Sequence, residues 1–142
     1  MAVLNFYRLA LAGAFVGSIA TSAVAAPQSV AGRWLDQDKG GVIQIGQCGA
    51  TVCGTLVQIL EKGKANALDQ NNPNPALRNR PLKGINLLYG FVPDGQSWKG
   101  SIYDPRRGKV FKSFVKLNPN GTLSVKGCWG FLCQTQTWTR AK

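Results

Sequence analysis

The 142-residue chain contains no histidine, which removes the commonest general base and the commonest metal ligand together. Acid–base chemistry would therefore fall to Asp36, Asp38, Glu61, Asp69, Asp94 and Asp104. Nearly all of these stand beside lysine, arginine, glycine or proline, in stretches that read as turns, where an aspartate ordinarily bonds nearby backbone. No catalytic residue is expected; serine and these acids leave only a weak hydrolase alternative. Asp69-x-Asn71-x-x-Asn74 gathers hard oxygen ligands, but an EF-hand loop would need a ligand where Pro73 stands and glycine where Asn74 stands. Backbone capping fits better, and neither metal nor cofactor is expected.

The remaining reactive groups are four cysteines in two matching frames, Cys48-Gly-Ala-Thr-Val-Cys53 and Cys128-Trp-Gly-Phe-Leu-Cys133. Four cysteines allow three connectivities. Each frame reads as a tight hairpin whose flanking residues face each other, within disulfide reach, so Cys48–Cys53 and Cys128–Cys133 are the expected bridges. A four-cysteine zinc site can use the same spacing, but an oxidising compartment disfavours it. A redox pair is disfavoured too, because neither frame is Cys-x-x-Cys.

That compartment is inferred from the N-terminus. Residues 1–25 have the parts of a secretory signal peptide: Arg8, an apolar or small-residue run from Leu9 to Ala20, and the small-x-small pattern Ala23-Val24-Ala25. The expected product is a single domain, residues 26–142, periplasmic or secreted, with no later stretch apolar enough to cross a membrane. Losing Arg8 leaves 16 basic residues against six acidic ones, a net charge of +10. Such an excess favours anionic surroundings. No zinc-finger spacing, RNA-binding aromatic motif or basic helix points to nucleic acid, so an anionic envelope component or a small molecule is the expected partner.

From Gly32 onward the chain reads as eight short strands, over residues 32–36, 41–47, 51–60, 85–93, 97–105, 109–118, 122–128 and 133–140. Alternation is clearest in Ile85-x-Leu87-x-Tyr89-x-Phe91, Trp98-x-Gly100-x-Ile102 and Phe111-x-Ser113-x-Val115-x-Leu117. Most links are minimal, which joins sequence neighbours as antiparallel pairs. The fold class predicted is all-β: a single eight-stranded antiparallel up-and-down barrel, which leaves no unpaired edge. A two-sheet sandwich is the rival.

One link is long. Glu61 to Gly84 holds prolines at 73, 75 and 81 and several asparagines, a composition that suits an ordered loop folded on itself rather than a flexible linker. Leu77 and Leu82 are its expected anchors, and a barrel end is its expected place. Its Arg78, Arg80 and Lys83, together with Arg106, Arg107 and Lys109 on a turn, are candidates for a basic rim.

Gly32-x-Trp34 opens the first strand and Trp138-Thr139-Arg140 ends the last. Together they resemble the closure device of lipocalin-like or calycin barrels, in which a tryptophan plugs the closed end and an arginine lies across its ring. Further residues extend the likeness: Cys53-Gly54, Asp69 with Asn72-Pro73, Leu77-Arg78-x-Arg80-Pro81-Leu82-x-Gly84, Trp98-x-Gly100-x-Ile102-Tyr103-Asp104-Pro105 with Gly108-Lys109, and Gln136 to Arg140. As a set they resemble the bacterial exported domains of unknown function numbered 2147 (DUF2147). That resemblance implies a lipocalin-like barrel in the periplasm or outside the cell, and brings no established reaction, ligand or catalytic residue.

The function expected is that of an exported, non-enzymatic β-barrel binding a small, partly apolar ligand, with an anionic group as one option. Arg78, Arg80, Lys83, Tyr89, Trp98, Arg106 and Arg107 are the candidate ligand-binding residues. The inward set, Leu87, Tyr89, Phe91, Trp98, Ile102, Phe111 and Val115, suits a filled core as well as an open cavity. The alternative is an interaction module that docks on an envelope polymer or a protein through a basic surface.

Overall fold

The computed structural model describes residues 13–23 and 25–142. Residues 1–12 and 24 of the expected signal peptide fall outside them.

Eight strands form a closed antiparallel barrel in sequence order: β1 (Gly32–Leu35), β2 (Gly41–Cys48), β3 (Thr51–Ile59), β4 (Asn86–Asp94), β5 (Ser97–Asp104), β6 (Lys109–Leu117), β7 (Leu123–Trp129) and β8 (Leu132–Arg140). The only helical piece among the described residues is one 3₁₀ turn, Pro75–Leu77, inside the long loop. Each boundary falls within two residues of its sequence expectation. The short links favour that order, since turns of two to five residues pair sequence neighbours; only the β3–β4 link is long. β1 closes on β8 through the shortest ladder, Trp34 opposite Arg140 and Leu35 opposite Thr139. Two further bonds lengthen the seam: Ala141 N–H donates to the Arg33 carbonyl at 3.0 Å, and Thr137 N–H donates to Gln37 Oε1 at 2.9 Å.

The up-and-down order gives the barrel two unlike ends. At one lie the starts of β1, β3, β5 and β7; at the other lie the 36–40 turn, the long loop, the 105–108 turn and the β7–β8 hairpin. The first end is packed solid. Val30, Trp34, Ile45, Val52, Leu88, Phe91 and Val115 are all buried there. The Trp34 indole donates to the Val30 carbonyl at 2.9 Å, and the Arg140 guanidinium lies 4.0 Å from the centre of the Trp34 ring. Arg140 Nη1 also donates to the Ala31 carbonyl at 2.9 Å, tying the last strand to the segment before the first. Gly32, with φ 134°, is the residue that leaves room for this: a Cβ there would run into the guanidinium.

Both disulfides are present, Cys48–Cys53 and Cys128–Cys133. Only the second joins residues directly opposite each other, with Cα atoms 4.1 Å apart. In the first hairpin Cys48 pairs with Thr51 and Cys53 with Gly46, so the bridge runs diagonally over 5.7 Å between Cα atoms. The facing geometry expected for both frames thus holds for one.

Candidate functional site

At the second end the barrel is hollow. A half-open cavity of about 1080 Å³ reaches from the mouth down to the packed layer, whereas the void in the closed end amounts to about 10 Å³. Alternation along the strands directs Ile43, Leu56, Ile102, Phe111, Val125 and Trp138 into it. The β8 wall differs: its inward positions before Trp138 are Leu132, Gln134 and Gln136. Gln136 Oε1 accepts from the Trp138 indole at 2.8 Å, which leaves the Gln136 amide N–H groups and the whole Gln134 amide available to an occupant. Ser113, in the inward row of β6 between Phe111 and Val115, is fully buried, and its hydroxyl has no partner among the described residues. The cavity is therefore an apolar pit with an amide stripe down one side.

The long loop borders the mouth, and a buried carboxylate holds it there. Asp69 is completely inaccessible. Its Oδ1 accepts from the Tyr103 hydroxyl at 2.5 Å, and its Oδ2 accepts from Asn72 Nδ2 at 2.8 Å and from Arg80 Nε and Nη2, both at 2.9 Å. Burial by itself pushes the Asp69 carboxyl up, but the bonds from Tyr103, Asn72 and Arg80 and the guanidinium charge outweigh it and hold the group below the ordinary carboxylate value. Burial and the adjoining Asp69 carboxylate push the Tyr103 phenol up to about 12. Local bonds finish the loop: Arg78 Nε donates to the Asn72 carbonyl at 2.8 Å, Asn74 N–H to Asn72 Oδ1 at 2.9 Å, and Leu68 bridges Pro81. Asn71 Nδ2 then donates to the Pro105 and Arg106 carbonyls, at 3.2 and 3.0 Å, clamping loop to turn. Gly108 passes so close to the Asn71 carbonyl that any side chain there would collide with it. Leu82 packs against the core, while Leu77, the other expected anchor, is exposed.

These contacts redistribute the candidate ligand-binding residues. Arg106 and Arg107 do line the mouth, along with Lys109. Arg78, Arg80 and Lys83 do not; Arg80 is engaged by Asp69 and Arg78 by the loop backbone. The rim is also not a basic one. Arg106 lies 3.3 Å from Asp38 and 3.9 Å from Glu61, Lys64 lies 3.5 Å from Glu61, and Arg107 lies 3.6 Å from Asp104. Asp36, also at the mouth, is pushed up by burial and by Asp38, against the pull of the Gly40 N–H, which donates to it at 2.8 Å, and of Arg106.

Tyr89 does not face the cavity, contrary to the alternation expected of its strand. The register of β4 slips against both neighbours, opposite Gly54 and Thr55 on β3 and between Tyr89 and Val92 against β5. Leu87 therefore lines the cavity, Leu88 and Phe91 are buried in the closed end, and Tyr89 is left 38% exposed. Trp98 belongs to the closed end, where its indole donates to the Gln28 carbonyl at 2.9 Å. The cavity residues that sequence reasoning missed are Gln134 and Gln136, polar groups whose phase on β8 places them inside.

A closed eight-strand meander, plugged at one end by a tryptophan under an arginine and hollow at the other, has the architecture of a lipocalin-like barrel. The chain belongs to the family described as "Uncharacterized protein conserved in bacteria (DUF2147)", whose model matches residues 32–140. Among solved structures it is similar to protein HP1028 from Helicobacter pylori, described as belonging to the lipocalin family. The two are 28% identical, with a TM-score of 0.71 over 80% of this chain and 84% of the other. No curated protein matches the chain.

Proposed function

We propose that this is an exported, non-enzymatic barrel that holds a small, largely apolar molecule in its open half. The observation that carries the proposal is the contrast between the ends: about 1080 Å³ of space, with an apolar floor and a polar rim, above a layer with almost no void. Pockets of that order accommodate one small ligand. A likeness to a lipocalin-family protein supports it, and the two disulfides fit an oxidising compartment. Because acids and bases offset each other around the rim, the ligand's charge is not what the site selects. Gln134 and Gln136 favour an apolar body carrying an uncharged hydrogen-bonding group. Asp69, the carboxylate placed most like a catalytic group, is committed to three side chains as the anchor of the loop.

Native mass spectrometry of the purified protein is the direct test. A co-purified small molecule, lost in an Ile102→Trp variant that fills the pit, is the expected result. A protein that binds no member of an apolar ligand panel, with Ile102→Trp destabilised as overpacking of a filled core would make it, would refute the pocket. The alternative, a docking module, draws support from the outer face of β5–β7, where Lys99, Lys112, Lys116 and Lys126 surround Phe114 on the ladder.

A further inference from the structure

We propose that the β7–β8 hairpin is a membrane-docking wedge that seats the open end of the barrel on a bilayer containing anionic lipids. The chain turns back through Gly130 and Phe131, between the paired residues Trp129 and Leu132. Phe131 is 94% exposed, Leu132 67% and Trp129 58%. Nowhere else on the barrel do three large exposed apolar side chains fall within four residues. Single exposed apolar residues are ordinary, but a cluster of this kind at a projecting tip marks a contact surface.

The wedge is stiff. Cys128 and Cys133, the pair immediately below it, are bonded to each other, and the Trp129 ring meets Phe111 edge-on with centroids 5.8 Å apart. A preformed tip loses little freedom on insertion.

Its surroundings select the partner. Lys109 Nζ lies 5.2 Å from the Trp129 ring, and below the staple Lys112 and Lys126 flank Phe114 at 5.7 and 5.4 Å on the outer face. Lys112 is level with Cys128 on the ladder, and Lys126 is two residues before it on the same face. None of the three lysines pairs with a carboxylate among the described residues. An apolar tip below a tryptophan and a collar of unpaired cations matches the layering of an anionic bilayer, with hydrocarbon innermost, then the interface, then negative headgroups. A second copy of this chain would bring collar against collar at a net charge of +11 each, which repels. Trp129 and Leu132 also line the cavity, so a docked barrel presents its mouth to the lipid surface. Docking itself does not require the cavity to be occupied.

Vesicle flotation of the full chain tests this, using phosphatidylglycerol with phosphatidylethanolamine against phosphatidylcholine alone, and comparing the parent with Phe131→Ser and with the double variant Lys112→Gln, Lys126→Gln. All three share every other residue, so contributions from the rest of the chain cancel. The altered positions leave the core intact, and unchanged melting curves check the fold. Expected are preferential binding to the anionic vesicles, a loss of about tenfold or more in Phe131→Ser, and a loss of about fivefold per lysine that disappears at high salt. Three results would each overturn the proposal: Phe131→Ser floating like the parent, equal binding to both vesicle types, or sedimentation showing that Phe131 drives self-association instead.

Discussion

Replacing Asp69 by asparagine keeps the volume of the side chain while removing the charge and turning one acceptor into a donor. In the native loop both carboxylate oxygens are used, by Tyr103 on one side and by Asn72 and Arg80 on the other. Removing one partner of a fully buried ion pair costs about 3–5 kcal/mol. The Arg80 side chain is 36% exposed and can rehydrate, which places the cost near the lower end of that range, about 3 kcal/mol. For a domain of this size that corresponds to a fall in Tm of roughly 10 °C. The acid limb of the stability curve should change as well. Because the folded-state value of Asp69 lies below the ordinary 3.8, its contribution is complete above that pH and is lost as pH falls through the lower, folded-state value. Asp69→Asn should therefore flatten the stability loss at acid pH while lowering stability everywhere above it. Thermal denaturation from pH 2 to 8, with hydrogen exchange resolved over residues 61–85, measures both effects. If Tm stays within a degree of the parent and the loop amides keep their protection, the carboxylate is not what holds the loop.

Tyr103→Phe tests the same anchor from the alkaline side: with the phenol raised to about 12 against an ordinary 10, its contribution is present below pH 10 and fades between 10 and 12, so the variant should show a flatter alkaline limb in pH-dependent unfolding. Arg140→Ala removes the stack on Trp34 and the bond to the Ala31 carbonyl, and should cost about 1–3 kcal/mol in urea unfolding. Gly32→Ala should cost a comparable amount, about 1–3 kcal/mol, and an unchanged midpoint would mean that the guanidinium has another place to sit. Replacing Cys128 and Cys133 together by serine opens a six-residue loop and should cost about 2 kcal/mol, read as a fall in Tm smaller than the one reducing agent, which also opens Cys48–Cys53, causes in the parent.

The barrel was legible because all its strand links but the β3–β4 loop are tight turns that pair sequence neighbours, so local signals added up to topology. Trp34 and Arg140 were legible because motif residues at the two chain ends become neighbours only if the first and last strands pair. The cavity was harder to read. Ile102 and Phe111 have the same type and phase whether they fill a core or line a pit, and the polar side of the open half, Gln134 and Gln136, resembles an ordinary solvent-facing stripe. Tyr89 was misplaced because slips in β4 change its phase, and no residue type in Leu87-Leu88-Tyr89-Gly90 announces how far the ladder shifts. The charge at the rim was misjudged for a different reason. Arg106 meets Asp38 across 68 positions in the chain, a contact that exists only after closure.

The β1–β8 seam, joined by two paired residues and latched by Arg140, carries a liability for the whole molecule. Prised apart there, the cylinder would become a curled ribbon with raw amide and carbonyl rows along both margins, and the readiest mates for those rows are the margins of a second opened molecule. The arginine on its indole therefore guards solubility as much as shape: weakening it should favour strand-exchanged pairs and fibrous precipitate before it abolishes secondary structure.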